Sequence, residues 1–145
     1  MQVRHTKQRA AIREAVERAG RPLAAEEILA EASKEVRGLG LATVYRGVRD
    51  LLEEKWLTGV ELPGEPPRYE LAGKAHHHHF HCCTCGRVFE VDACPPDLDK
   101  LVPAGFRAGR HEIIMHGECA DCVQGSERNP AHRATHLATN PDTLG

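Results

Sequence analysis

The sequence predicts an α+β chain in two parts: three amphipathic helices with a short hairpin, then a small α/β unit dense in histidine and cysteine. Two observations carry this. Apolar residues recur at helical spacing through Leu52 and then give way to short extended runs. Beyond them, five histidines and three cysteines fall within residues 76–85, and a second CxxC follows at Cys119 and Cys122.

The first helix covers residues 6–19, with Gln8, Ile12, Ala15, Val16 and Ala19 on one face, and Gly20-Arg21-Pro22 ends it. Residues 24–33 repeat the pattern through Ile28, Leu29 and Ala32, and Arg37-Gly38-Leu39-Gly40 turns the chain. A third helix over residues 42–54 has a buried stripe of Val44, Val48, Leu51 and Leu52. Arg46, Arg49 and Glu53 fall on its opposite face, with Tyr45 at the margin. Extended segments at 57–62 and 68–71 flank Pro63-Gly64-Glu65-Pro66-Pro67. Three helices and a two-stranded wing make the winged helix-turn-helix order, in which the third helix enters the major groove. Periodicity alone is weak support, because many small helical domains share it. Further along, 87–91 and 111–116 read as strands, with a short helix at 97–102 bracketed by Pro95, Pro96 and Pro103. Residues 123–145 are polar, without period, and are expected to form a disordered tail.

The 145 residues suffice for one ordinary domain or two small ones. Aromatic residues are only 4 % of the chain, which excludes a large core built on rings. The net charge of −2 gives no global nucleic-acid signal. Its distribution does. Residues 1–21 carry Arg4, Lys7, Arg9, Arg13, Arg18 and Arg21 against Glu14 and Glu17, a basic arm suited to phosphates or simply a solvated helix face. No apolar run approaches the ~20 residues of a membrane span, so no membrane partner is expected.

Neutral imidazole and thiolate are preferred ligands of zinc and other first-row metals. Two CxxC knuckles, Cys82/Cys85 and Cys119/Cys122, offer a tetrahedron of thiolates suited to structural zinc. The competing reading is a pair of disulfides. The charged first 20 residues lack an apolar signal-peptide core, so a cytoplasmic location with reduced thiols is expected and favours metal. Cys94 reads as a small apolar residue, and Cys83 as a neighbour alternating away from the knuckle. In a strand, His77 and His79 face one side and His76 and His78 the other, so one run can serve two metal sites. His81 reads as a neighbour of the knuckle; His5, His132 and His136 read as solvated. No HExxH and no complete HxE…PCxxC deaminase pattern is present, which argues against a zinc hydrolase. A cytoplasmic metal-binding thiol protein, a zinc store or redox protein without DNA function, would use the ligands but leave the N-terminal half unexplained.

Thr6-x-Gln8-Arg9, Ala25-Glu26-Glu27-Ile28 and Leu41-Ala42-Thr43-Val44-Tyr45-Arg46 are followed in order by Tyr69-Glu70-Leu71 and the histidine run. Cys82-x-x-Cys85-Gly86, Gly105-Phe106, His111 and Gly117-x-Cys119-x-x-Cys122 complete the series. Over residues 5–122 this pattern resembles the ferric uptake regulator family. The resemblance implies a homodimeric, metal-activated transcriptional repressor, not an enzyme, that binds a palindromic operator in double-stranded DNA. It implies a winged-helix domain at 1–72, a hinge at 73–75 and a metal-binding dimerisation domain at 76–122. It assigns Cys82, Cys85, Cys119 and Cys122 to structural zinc. It assigns Glu70, His77 and His79, with Glu90 as a further ligand, to a regulatory site for iron(II), manganese(II) or zinc. It assigns His76, His78, Asp97 and His111 to an additional site. DNA contacts are expected from Lys7, Arg9, Thr43, Tyr45, Arg46 and Arg49. One departure stands out: Arg21-Pro22-Leu23-Ala24 offers no histidine where iron and peroxide sensors of the family usually carry one, and Ala72 stands where zinc sensors often carry a cysteine.

Overall fold

The computed structural model describes residues 2–128. Three helices come first: α1 (Gln2–Ala19), α2 (Ala25–Ala32) and α3 (Leu41–Glu53). α1 begins four residues before its apolar periodicity does, because residues 2–5, Val3 included, project into solvent and face no core. Gly20, at φ 60°, closes α1 in the left-handed conformation that glycine adopts without a Cβ penalty. At the start of α2 the backbone N–H of Ala24 donates to the Glu27 carboxylate at 3.2 Å, satisfying one of the donors a helix start leaves open. The apolar stripes of the three helices meet in one core of Ile12, Val16, Ile28, Val44, Val48 and Leu51, all at most 2 % exposed.

A two-stranded antiparallel sheet follows, β1 (Leu57–Val60) and β2 (Arg68–Leu71), paired Leu57 with Leu71 and Val60 with Arg68. Leu23 and Tyr69 exchange backbone hydrogen bonds of 2.9 and 2.8 Å, which tie this wing to the entry of α2. The second sheet has strand order β4-β3-β5, from β3 (His78–Cys82), β4 (Val88–Val91) and β5 (Ile114–Gly117). β3 is antiparallel to β4 and parallel to β5. A small apolar cluster joins the two sheets: Val60 and Leu62 of the wing pack with Val88, and Ile114 lies against them. Arg68, buried, adds a polar tie by donating to the Gly86 carbonyl at 2.9 Å.

Two expected elements differ. The helix anticipated at 97–102 is a single 3₁₀ turn, Leu98–Leu101, because prolines at 95, 96 and 103 leave room for no more. The tail anticipated from residue 123 begins instead as a helix, α4 (Ala120–Arg128), with Ser126 buried. Nine residues are too few for a polar segment to announce helix by periodicity. The remainder of that anticipated tail, with His132 and His136, lies outside the described residues. Among the described residues no helix is long and apolar enough to cross a membrane.

Candidate metal centres

Strand alternation sorts the histidine-rich run. Residues 76 and 78 project to one face of β3 and residues 77 and 79 to the other, and each face meets different partners. Ligand atoms of Glu70, His77 and His79 lie within 4.8 Å of one another. Glu70 comes from the wing strand β2 and is 3 % exposed; the histidines come from the entry and body of β3. Its two carboxylate oxygens stand 2.9 Å from His77 Nε2 and 3.2 Å from His79 Nε2. His77 Nδ1 donates to the Ala75 carbonyl at 2.8 Å. That bond places the proton on Nδ1 and turns the Nε2 lone pair toward the carboxylate. Two acceptors face each other there, so a proton or a cation must lie between them. Burial works against ionisation of Glu70, but the hydrogen bond from His79 and the charges of both rings outweigh it and lower its pKa. Burial likewise opposes charge on His77, but the Ala75 carbonyl and Glu70 raise its pKa. Glu90 is the β4 partner of His79 yet stays outside this group, because its carboxylate is taken by Lys74. The Arg21–Ala24 stretch supplies no ligand: Leu23 is bridged to Tyr69, and Arg21 pairs with Glu27 at 2.5 Å.

On the opposite face, His76, His78 and His111 gather with Cys94. His76 Nε2 and His111 Nε2 are 3.0 Å apart, and Cys94 Sγ is 3.2 Å from His111 Nε2 and 3.9 Å from His76 Nε2. Two expectations change. Asp97 is absent from the group and bonds Lys100 at 3.3 Å, at the start of the 3₁₀ turn. Cys94 is an exposed member of the group, not an apolar filler. Register held the missed signal. With His78 opposite Val91, continuing the antiparallel pair carries His76 toward the residues just past β4, where Cys94 lies. A cleft of about 670 Å³ runs between wing and sheet and is lined by Thr58, Glu70, His76, His77, His79 and His111, so both groups open onto it.

The third group is Cys82, Cys85, Cys119 and Cys122. Cys82 ends β3, Gly86 turns the knuckle at φ 76°, and Cys119 and Cys122 flank and enter the first turn of α4. All four are free thiols. The Cys85 and Cys119 sulfurs are 3.8 Å apart, far beyond a disulfide and close to the ~3.8 Å edge of a tetrahedron with metal–sulfur bonds of about 2.3 Å. Burial opposes ionisation of Cys82, but backbone N–H groups of Cys85, Cys119 and Thr84 outweigh it and bring its pKa to about 6. Burial and the neighbouring sulfurs push Cys85 and Cys122 up. One sulfur is prepared as thiolate and its neighbours resist, a conflict that a dication removes. The donor set and its geometry suit zinc.

The helix expected to read DNA presents Tyr45, 46 % exposed, with Arg46 and Arg49 also on its outer face. Thr43 Oγ1 accepts from Arg46 Nη2 at 3.1 Å and steadies the guanidinium. Lys7 is exposed on α1, whereas Arg9 is engaged by Glu54 at the end of α3.

Comparison with known proteins decides the family. The ferric uptake regulator family model matches residues 1–122. The chain belongs to the ferric uptake regulator family. Members of this family are metal-responsive regulators. The ferric uptake regulation protein of Helicobacter pylori strain J99 is 31 % identical over 130 residues, covering 86 % of this chain and 85 % of that protein. The Campylobacter jejuni counterpart is 33 % identical over 87 residues, 58 % of this chain, and the match spans about half (55 %) of that relative's length. Among solved structures, the Helicobacter pylori regulator, which has three functional metal binding sites, superposes with a TM-score of 0.61 at 26 % identity, over 81 % of this chain and 80 % of that one.

Proposed function

We propose that this protein is a metal-dependent, DNA-binding transcriptional repressor of metal homeostasis genes, acting as a homodimer in the cytoplasm. In this reading residues 1–72 bind DNA, 73–75 are the hinge and 76–122 form the metal-binding dimerisation domain. The observation that carries the reading is the Glu70–His77–His79 group, in which a ligand from the wing meets two from the sheet. Three donors from two bodies are satisfied together in one relative pose. A metal held there stabilises that pose over others by its differential affinity. The favoured pose sets two recognition helices of a dimer about 34 Å apart, in successive major grooves of a palindromic operator.

The residues take distinct parts. Cys82, Cys85, Cys119 and Cys122 hold structural zinc and fasten α4 to the sheet. Glu70, His77 and His79 hold the regulatory ion, and Glu90 joins them only by leaving Lys74. An O/N donor set accommodates iron(II), manganese(II) or zinc. His76, His78, Cys94 and His111 form the additional site, where a thiolate in place of a carboxylate favours zinc over harder ions. Tyr45 and Arg46 face base edges, with Thr43 positioning Arg46. Arg49, Lys7 and Arg9 contact phosphates, Arg9 after exchanging Glu54. Leu101 and Phe106, 79 % and 69 % exposed, supply apolar surface for the second copy.

The test is operator affinity measured by anisotropy with iron(II), manganese(II) and zinc, each buffered to the same free concentration. At least one ion should tighten binding several-fold. Equal affinity with and without every ion would remove the regulatory role from the site.

A further inference from the structure

Three metal-competent groups serve the proposed regulator. The chain carries a fourth. His81, Cys83 and His116 bring their ligand atoms within 4.8 Å of one another, and none belongs to the other three groups. Alternation along β3 continues the face of His77 and His79 through His81 to Cys83. The parallel register sets His116 of β5 beside His81. The backbone N–H of Cys83 donates to the Gly117 carbonyl at 2.8 Å, which holds the cysteine next to β5.

The geometry points to a fourth metal site, with a two-histidine, one-cysteine donor set for a borderline-soft divalent ion such as zinc. The Nδ1 atoms of His81 and His116 face each other at 3.2 Å, close to the ~3.3 Å edge of a tetrahedron with metal–nitrogen bonds near 2.05 Å. His81 is 7 % exposed, so one ligand is anchored in the sheet, while Cys83 and His116 are solvent-exposed. Among the described residues Cys83 Sγ has no hydrogen-bond partner. Three protein ligands leave the fourth position to water or an exogenous donor, the arrangement of an exchangeable site as opposed to a closed structural one. The knuckle sulfurs are unavailable as substitutes, because Cys82 and Cys85 point into their own tetrahedron. This inference is independent of the DNA-binding reading, since it concerns only what the sheet holds.

Cobalt(II) serves as the probe, because a cobalt–thiolate bond has its own ultraviolet charge-transfer band. The full-length protein, zinc-loaded in its four-cysteine site, is titrated anaerobically in a Cys94→Ser background, which removes the other histidine-adjacent thiol. A cobalt–thiolate band should grow and saturate while bound zinc stays constant. Cys83→Ser in the same background should abolish the band. His116→Ala should weaken the affinity by roughly tenfold or more, at least the cost of losing an outer-shell partner. Both positions are exposed, so neither change threatens folding. A band that survives Cys83→Ser, no band at all, or a band that grows only as zinc is released would each overturn the site.

Discussion

At the scale of single residues, the role of a side chain follows from what faces it. Cys82 is buried and receives backbone N–H groups, among them those of Cys119 at 3.3 Å and Cys85 at 3.5 Å, so it is prepared as a thiolate. Structural zinc contributes about 10–16 kcal/mol in small domains, comparable with the whole stability of about 5–15 kcal/mol expected of a domain. The apolar cluster beneath the second sheet is small, so it cannot replace that contribution. Cys82→Ser should therefore release zinc and unfold or monomerise the C-terminal sheet, as read by metal analysis and size-exclusion chromatography. A dimeric, zinc-loaded variant would remove the structural assignment. Arg46 and Lys7 make a second contrast. Arg46 projects from the outer face of α3 and is steadied by Thr43, whereas Lys7 lies on the basic first helix. Arg46→Ala should cost roughly 1–3 kcal/mol on operator DNA and relax preference at one position per half-site. Lys7→Ala should weaken binding to specific and scrambled duplexes alike and flatten the salt slope by about one. Equal losses on both duplexes for both variants would make Arg46 a phosphate contact.

At the scale of elements, α3 depends on its buried stripe for orientation. Val44 and Leu51 are 0 % exposed, and a Cβ added at Gly47 would meet Ile12 Cδ1 at 2.7 Å. The closeness of α1 and α3 at Gly47 leaves little space to absorb a cavity by collapse. Leu51→Ala should lower unfolding free energy by about 2–5 kcal/mol in urea titration, with DNA affinity falling alongside it. A change under about 1 kcal/mol would mean that the site closes over the lost methyls. β3 is the second decisive element. Its alternation distributes histidines to separate groups on its two faces, while its final residue begins the knuckle.

At the scale of the whole molecule, wing and sheet meet through few contacts: a small apolar cluster, the Arg68 bond to Gly86, and Glu70 against His77 and His79. A thin contact of this kind is where a bound ion has leverage over relative orientation. His79→Ala should leave zinc content, fold and dimer intact while removing the metal response of operator binding, checked by anisotropy with and without metal. An unchanged response would move the regulatory site elsewhere. Coupling is reciprocal, so operator DNA should tighten metal binding to the wild-type protein by about 5–150-fold, equivalent to about 1–3 kcal/mol. Competition with a fluorescent chelator reads this directly, and identical metal affinity with and without operator would rule out the coupling.

The sequence by itself determined the three helices, the wing, the strand carrying the histidines and the pairing of the two CxxC knuckles. Each of these rests on local period or on ligand spacing, which is written along the chain. The stripe of Val44, Val48 and Leu51 needs only a 3.6-residue repeat to be seen, and the split between His76/His78 and His77/His79 needs only a two-residue one. The tertiary structure decided what spacing cannot contain. Cys94, not Asp97, lies beside His76 and His111 because the antiparallel register carries the end of β4 to that face. Glu90 went to Lys74, although it lies opposite His79, because the Lys74 ammonium, in the connection between β2 and β3, reaches it. Residues 120–128 form a helix whose start lies beside the sheet, where Cys119 and Cys122 meet Cys82 and Cys85. His81, Cys83 and His116 became neighbours only when β5 paired in parallel with β3. These outcomes depend on register and on contacts between residues about 16–35 positions apart in the chain, and local propensity carries no record of such contacts.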